Sequence, residues 1–172
     1  GYNVEDAILI NKGAVDRGLF RTTYFNMYEG REESSDVSGS NVDSTFSKIV
    51  GENVNGINKS YNYDYLDNNG IIKVNTKMDE KTTVIGKVRY NELDDKKYDE
   101  SIFPKKGQLG IVDKVFLSND EDGFRIAKVR IREERIPAIG DKMASRAGQK
   151  GTIGLVIPEE DMPYTASGVK PD

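Results

Sequence analysis

The chain contains no cysteine, no histidine and no tryptophan. Disulfides, Cys or Cys/His zinc sites, a cysteine nucleophile and any serine triad that needs imidazole are therefore excluded. A metal bound by these residues must be a hard cation held by oxygen, Mg²⁺ being the natural case. Long apolar runs are also missing. The longest aliphatic stretches are as short as Ala7-Ile8-Leu9-Ile10, far below a membrane span, and no signal-peptide pattern opens the chain. Proline is scarce at 5 residues, whereas 17 glycines supply many turns.

What is present is charge, unevenly placed. The chain is 31% charged with a net charge of −4 over 172 residues, a length that accommodates one domain or two small ones. Between Arg125 and Lys150 there are eight Lys or Arg against three acids, so the rest of the chain is strongly acidic. A basic segment on an acidic protein suits a phosphate or nucleic-acid contact, and it equally suits a solvated strand face.

The densest motif is Gly140-Asp141-Lys142-Met143-Ala144-Ser145-Arg146-Ala147-Gly148-Gln149-Lys150-Gly151. Lys142, Arg146 and Lys150 recur every four residues, as on one helix face. Glycines at 140, 148 and 151 oppose a helix, each costing roughly 1 kcal/mol relative to Ala. The expectation is a loop whose backbone N–H groups turn inward and whose lysines add charge, a phosphate cradle. It is not the G-x-x-x-x-G-K-[ST] phosphate loop, because Gly151 follows Lys150, and no G-x-G-x-x-G occurs. A second patch, Glu5-Asp6, precedes the apolar run. Adjacent strand residues point to opposite faces, so one of the two acids aims at any given site.

Elsewhere the pattern is mainly β with minor α. Ala7–Ile10 reads as a short buried strand, followed by a helical turn or two over Lys12–Phe20 that ends near Gly18. Residues 29–62 read as exposed loops, with an irregular helix around Val42–Val50. Asn69-Gly70 marks a turn between strands, with Ile71–Val74 and Thr83–Val88 following. Glu92–Glu100 reads as an acidic loop. Gly110–Leu117 and Phe124–Ile131 flank Asp122-Gly123 as a hairpin. On its second arm Lys128, Arg130 and Arg132 alternate with Val129 and Ile131, giving one basic and one buried face. Pro137 and Gly140 end that strand, Thr152–Ile157 forms a last one, and Pro158–Asp172 is turn-rich. Two functional classes fit: a catalytic piece built from both patches, or a free-standing, non-catalytic nucleic-acid-binding β module using the basic strand and the loop.

The segments Gly1-Tyr2-Asn3-Val4-Glu5-Asp6 through Asn11, Asp16-Arg17-Gly18-Leu19-Phe20-Arg21, Tyr65-Leu66-Asp67, Gly70-Ile71, Ile85-Gly86-Lys87, Gly110-Ile111-Val112-Asp113 and Ile136 through Gly151 together resemble the second-largest (beta-type) subunit of multisubunit DNA-directed RNA polymerases. Glu160-Asp161-Met162-Pro163, Gly168 and Pro171-Asp172 continue the likeness in order, so it covers essentially the whole chain. The Arg-Gly-Leu-Phe-Arg block is similar to the archaeal, eukaryotic and large-DNA-virus branch, and Arg21–Tyr24 and Ser145–Gly148 resemble giant-virus subunits. Family members usually carry His where this chain has Ala147. The Asn-Pro-His and Ser-Arg-Met-Thr blocks that the resemblance leads one to expect are missing, so the resemblance implies an internal fragment, expected to be inactive alone.

The resemblance implies nucleotidyl transfer from ribonucleoside triphosphates with two Mg²⁺ ions, the principal ligands being aspartates of the largest subunit. Asp6 is the implied carboxylate beside the second Mg²⁺, which arrives with the nucleotide, and Glu5 supports it. Lys142 and Lys150 are the implied contacts to the RNA 3′ end and the nucleotide phosphates. Arg146 and Gln149 support the loop or the hybrid backbone. Residues 1–22 and 137–172 are the implied pieces of the hybrid-binding, double-psi β-barrel region, and 23–136 an inserted wall or flap domain. The implied partners are the largest and other polymerase subunits, template DNA and nascent RNA in a soluble complex, with no membrane. The basic segment is expected to face the RNA–DNA hybrid through its backbone.

Overall fold

The computed structural model describes residues 5–37, 39–49 and 54–172. They belong to two compact units, Gly1–Thr23 with Glu134–Asp172, and Tyr24–Glu133. In chain order the elements are β1 (Ala7–Asn11), α1 (Lys12–Asp16), β2 (Thr22–Arg31), β3 (Glu33–Val37), β4 (Ser40–Phe46), β5 (Lys87–Asn91), β6 (Lys96–Asp99), β7 (Ile111–Asn119), β8 (Arg125–Arg135), β9 (Lys142–Ala144) and β10 (Lys150–Ile157), then a 3-10 turn at Glu159–Asp161. The described residues are thus mainly β, with open sheets ordered β1-β10-β9, β2-β8-β7 and β3-β4-β5-β6.

In the discontinuous unit, β1 runs parallel to β10 and β9 pairs antiparallel on its other side. Its small core is Ile10, Val15 and Ile153, with Ile8, Leu19, Met143 and Val156 packed around them. Asn11 starts α1 by accepting the Gly13 N–H at 2.8 Å. The buried Asn11 amide also donates to the Pro171 carbonyl at 3.1 Å, tying the chain's last residues to β1.

The continuous unit packs around Tyr28, Phe46, Leu66, Ile71, Ile72, Val84, Ile85, Val112, Val129 and Ile131. The hairpin β7–β8 follows the alternation read from sequence. Ala127, Val129 and Ile131 are at most 1% exposed, while Lys128 and Arg132 face solvent. Its turn is closed by the Asp120 carboxylate, which accepts the Asp122 and Phe124 N–H groups at 3.0 and 2.9 Å.

The structure departs from the sequence pattern in three places. Residues 29–62 are not mainly loop, and no helix forms around Val42. β3 and β4 make an antiparallel hairpin that β5 and β6 extend; Val50, the end of the expected helix, lies outside the described residues. The polar composition misleads because this hairpin is held by ladder hydrogen bonds and polar pairs such as Ser34–Asp43 (2.5 Å) and Ser44–Glu100 (2.7 Å), with only the end of β4 at Phe46 in the core. The acidic run Glu92–Glu100 contains β6, because Asp95 turns the chain at φ +51 and returns it along β5. Conversely, Ile71–Val74 and Thr83–Gly86 are not strands. They form isolated bridges, Leu66↔Ile72, Ile71↔Ile85 and Ile85↔Ile102, with the Ile72 N–H donating to the Val84 carbonyl, before Lys87 enters β5. Asp67 bends this segment by accepting the Asn69 and Ile71 N–H groups. A Cβ at Gly86 would lie 2.4 Å from the Ser47 carbonyl oxygen, so backbone crosses backbone where a ladder would need side chains.

Candidate functional site

The motif at 140–151 is a β-hairpin, which corrects the expected phosphate-cradling loop. Lys142, Met143 and Ala144 pair with Thr152, Gly151 and Lys150 respectively. The connection Ser145–Gln149 closes on itself: Ser145 N–H donates to the Gln149 carbonyl at 2.9 Å and Gly148 N–H to the Ser145 carbonyl at 3.1 Å. Those donors are consumed, so the hairpin offers charge through its side chains. Met143 and Ile153 turn inward to the core, and strand alternation leaves Lys142, Ala144, Lys150 and Thr152 on the opposite face. Asp141 secures the entry to β9 by accepting the Ala138 N–H at 3.0 Å.

Glu5 and Asp6 lie in a turn ahead of β1, not in the strand, so the opposite-face rule does not apply to them. Asp6 sits at φ +59, a left-handed conformation that Asp and Asn tolerate better than most residues. Its carbonyl accepts the Thr152 N–H at 3.2 Å, one position past Gly151. At Gly151 a Cβ would lie 2.7 Å from that carbonyl oxygen and 2.8 Å from Ile8 Cδ1. Glycine there lets the Asp6 backbone close on the hairpin.

The parallel register Ala7↔Thr152 and Ile8↔Ile153 thereby carries the start of the chain to the lysine hairpin. Asp6, Gln149 and Lys150 line one open concavity of about 500 Å³, with Ser145, Phe20 and the apolar Ile8, Met143 and Ala144. Lys142 lines a neighbouring concavity of about 410 Å³ with Arg21, Arg135 and Asp141, and Phe20 and Met143 border both. Glu5 and Arg146 are exposed and line neither. Among the described residues Asp6, Lys142, Arg146 and Lys150 have no ion-pair partner. Ala147, where the family's histidine is usual, is exposed in the hairpin turn.

Phe20 carries no signal of its own in the sequence. It is 58% exposed and holds φ +54 between two concavities. Its backbone angle has no signature in composition; the preceding Gly18 at φ +106 was the available hint of a tight, projecting turn.

The basic strand behaves differently from the hairpin lysines. Arg130 and Arg132 bind Asp113 at 2.6 and 3.3 Å, and Lys128 binds Glu29 at 3.3 Å. The charge surplus counted along the chain is therefore largely neutralised on β8, whereas Lys142, Arg146 and Lys150 of the hairpin segment have no ion pair among the described residues. Among the described residues no group of three or more acids is placed to hold a metal ion. No helix among them is long and apolar enough to cross a membrane.

The sequence is 40% identical to the DNA-directed RNA polymerase subunit Rpo2 of Saccharolobus solfataricus, with all of this chain and 16% of that protein aligned. It is 37% identical to the DNA-directed RNA polymerase II subunit 2 of Arabidopsis thaliana, covering 15% of it. It is also 37% identical to the probable DNA-directed RNA polymerase II subunit RPB2 homolog of Invertebrate iridescent virus 3, again over 15% of that protein. The chain thus spans about one-sixth of the relatives it matches, and archaeal, eukaryotic and viral proteins share the match. Residues 1–172 match the family described as RNA polymerase Rpb2, domain 6, and the chain belongs to that family.

Proposed function

We propose that this chain supplies part of the nucleotide-handling surface of a DNA-directed RNA polymerase, which extends RNA on template DNA from ribonucleoside triphosphates. The observation that carries this reading is the meeting of Asp6, Gln149 and Lys150, from opposite ends of the chain, around one open concavity. The discontinuous unit is the hybrid-binding part and the continuous unit the wall. Both work with the largest subunit and the other polymerase subunits.

Lys150 is a mobile point charge facing the concavity, suited to offset charge on a phosphoryl group. Lys142, on the same face of the hairpin, holds the backbone near the RNA 3′ end. Gln149 and Arg146 add backbone contacts, and Glu5 adds to the negative field at Asp6. An exposed carboxylate that belongs to no group of three or more acids placed to hold a metal among the described residues fits a contributory ligand and does not fit a resident ion. Asp6 would therefore hold one side of a Mg²⁺ that the nucleotide brings, while the principal ligands lie on the largest subunit. When bound, that ion supplies charge neutralisation of the triphosphate.

A free-standing binding module has less support, since it needs the β8 cations free and they are paired. The test is Lys150→Ala in the full-length subunit assembled into its polymerase. Losing one charge-assisted contact of about 1.5–3 kcal/mol slows nucleotide addition roughly tenfold to a hundredfold. Addition at the unaltered rate overturns the role given to Lys150.

A further inference from the structure

Four non-glycine residues among those described hold a positive φ: Asp6, Phe20, Asn75 and Asp95. Asp and Asn tolerate that left-handed backbone because their short polar side chains bond locally. A bulky residue there is an outlier, so Phe20, at φ +54, is the exception of the four. Burial does not compensate it. The residue is 58% exposed and takes no part in the core of Ile10, Val15 and Ile153, which receives its neighbour Leu19 instead. Strained backbone of this kind persists only where the surroundings impose it, and it gathers at functional sites.

The surroundings of Phe20 do impose it. Gly18, at φ +106, and Leu19 donate their N–H groups to the Val15 and Ala14 carbonyls at 2.9 and 3.0 Å, which closes the end of α1. Arg21 N–H then donates to the Gly18 carbonyl at 3.2 Å, and the Arg21 guanidinium reaches Glu134 at 3.5 Å. With Leu19 packed against the core and Arg21 tied to Glu134, the residue between them is turned outward.

It is turned toward the concavity of about 500 Å³. Asp6, the other left-handed residue of this unit, lines the same space. The wall is apolar along Ile8, Phe20 and Met143 and polar at Asp6, Gln149 and Lys150. That volume and that mixture suit a small ligand with an anionic end and an apolar end. Lys150, which has no ion pair among the described residues, meets the anion. An exposed aromatic on a fixed turn meets a planar group, and aromatics beside cations hold nucleotides by stacking whatever the base.

We propose that Phe20 is a substrate-binding residue whose ring stacks on the base of the ribonucleoside triphosphate whose phosphates Lys150 meets. The proposal rests on the polymerase reading above, which supplies the nucleotide.

The experiment measures KM and kcat for each of the four ribonucleoside triphosphates with Phe20→Leu, Phe20→Asn and Phe20→Tyr in the full-length subunit of the assembled polymerase. Phe20→Leu keeps apolar bulk and removes the aromatic face. It is expected to raise KM about tenfold for ATP and GTP and about threefold for CTP and UTP, because larger bases stack over more area, with kcat little changed. Phe20→Asn has the same effect, and because Asn accepts the left-handed backbone, its thermal unfolding midpoint stays at or above the parent's. Phe20→Tyr, which keeps the ring, restores most of the affinity. An unchanged KM in Phe20→Leu, equal rises for all four nucleotides, or a fall in kcat alone overturns the assignment. A lowered midpoint in Phe20→Asn also overturns it, since the ring would then serve the turn itself. Lys150→Ala, measured alongside, separates the two readings. Slow addition in Lys150→Ala with normal KM values in Phe20→Leu sinks only the role of Phe20. Purine-weighted KM changes in Phe20→Leu with normal addition in Lys150→Ala sink only the role given to Lys150.

Discussion

Asp6 carries its carboxylate on a left-handed backbone, so charge and conformation must be tested apart. Asn adopts that conformation with little penalty, whereas Ala there costs roughly 1 kcal/mol of strain. Asp6→Asn is expected to slow nucleotide addition at least tenfold and to raise the Mg²⁺ concentration needed for half-maximal rate, with thermal unfolding unchanged. Asp6→Ala adds a small loss of stability to the same defect. Gly151 makes the complementary case. Its missing Cβ is the space the Asp6 carbonyl and Ile8 occupy. Gly151→Ala is expected to cost about 1–3 kcal/mol by overpacking and to slow addition by moving Asp6, although residue 151 bears no charge. A thermal shift without a rate defect would contradict that coupling. The glycine was visible in sequence, but its reason was not, since its neighbour Asp6 comes from the other end of the chain.

At the scale of elements, the continuous unit is joined at Glu32, between β2 and β3. Its carboxylate, in a residue 7% exposed, accepts the Phe46 N–H at 2.7 Å and Arg125 Nε at 2.9 Å. Burial alone would push the Glu32 carboxyl up, but the Arg125 hydrogen bonds, the Phe46 N–H and the Arg125 charge outweigh it and hold it below the usual value. A depressed folded value means the contribution is complete above the unfolded value of about 4.3 and is lost as pH falls through the folded one. Glu32→Gln should therefore cost about 2 kcal/mol near neutral pH, with the gap to the parent narrowing in thermal melts below about pH 4. Sequence revealed the β7–β8 hairpin because its faces alternate between apolar and charged. It hid β3–β4, because polar side chains dominate both of its faces and only cross-strand pairing with β5 makes it a sheet.

For the molecule as a whole, a charge count along the chain and a charge count in space differ. Eight cations between Arg125 and Lys150 suggested one basic surface. Folding divides them into Arg125, Lys128, Arg130 and Arg132 of β8, which meet carboxylates, and the hairpin cations, which meet none among the described residues. Salt dependence distinguishes the two sets. In the assembled enzyme, Lys142→Ala and Lys150→Ala should each lower the salt slope of RNA–DNA hybrid retention by roughly 0.7–0.9, one phosphate contact apiece. Lys128→Ala should leave that slope nearly unchanged. Equal effects from all three would restore the single basic surface.

The linear sequence determined the family and the residue types at its motifs. It also determined the absence of thiol and imidazole chemistry and the apolar alternation that sorts Val129 and Ile131 from their charged neighbours. Those properties are local, set by residue identity and a period of two. Only the tertiary structure decided that Asp6 and Lys150 line one concavity, that the glycine-lysine motif is a hairpin whose turn closes on its own backbone, and which cations find carboxylates among the described residues. Each of these depends on a pairing between distant segments, above all the parallel register of β1 on β10. No spacing along the chain encodes such a pairing.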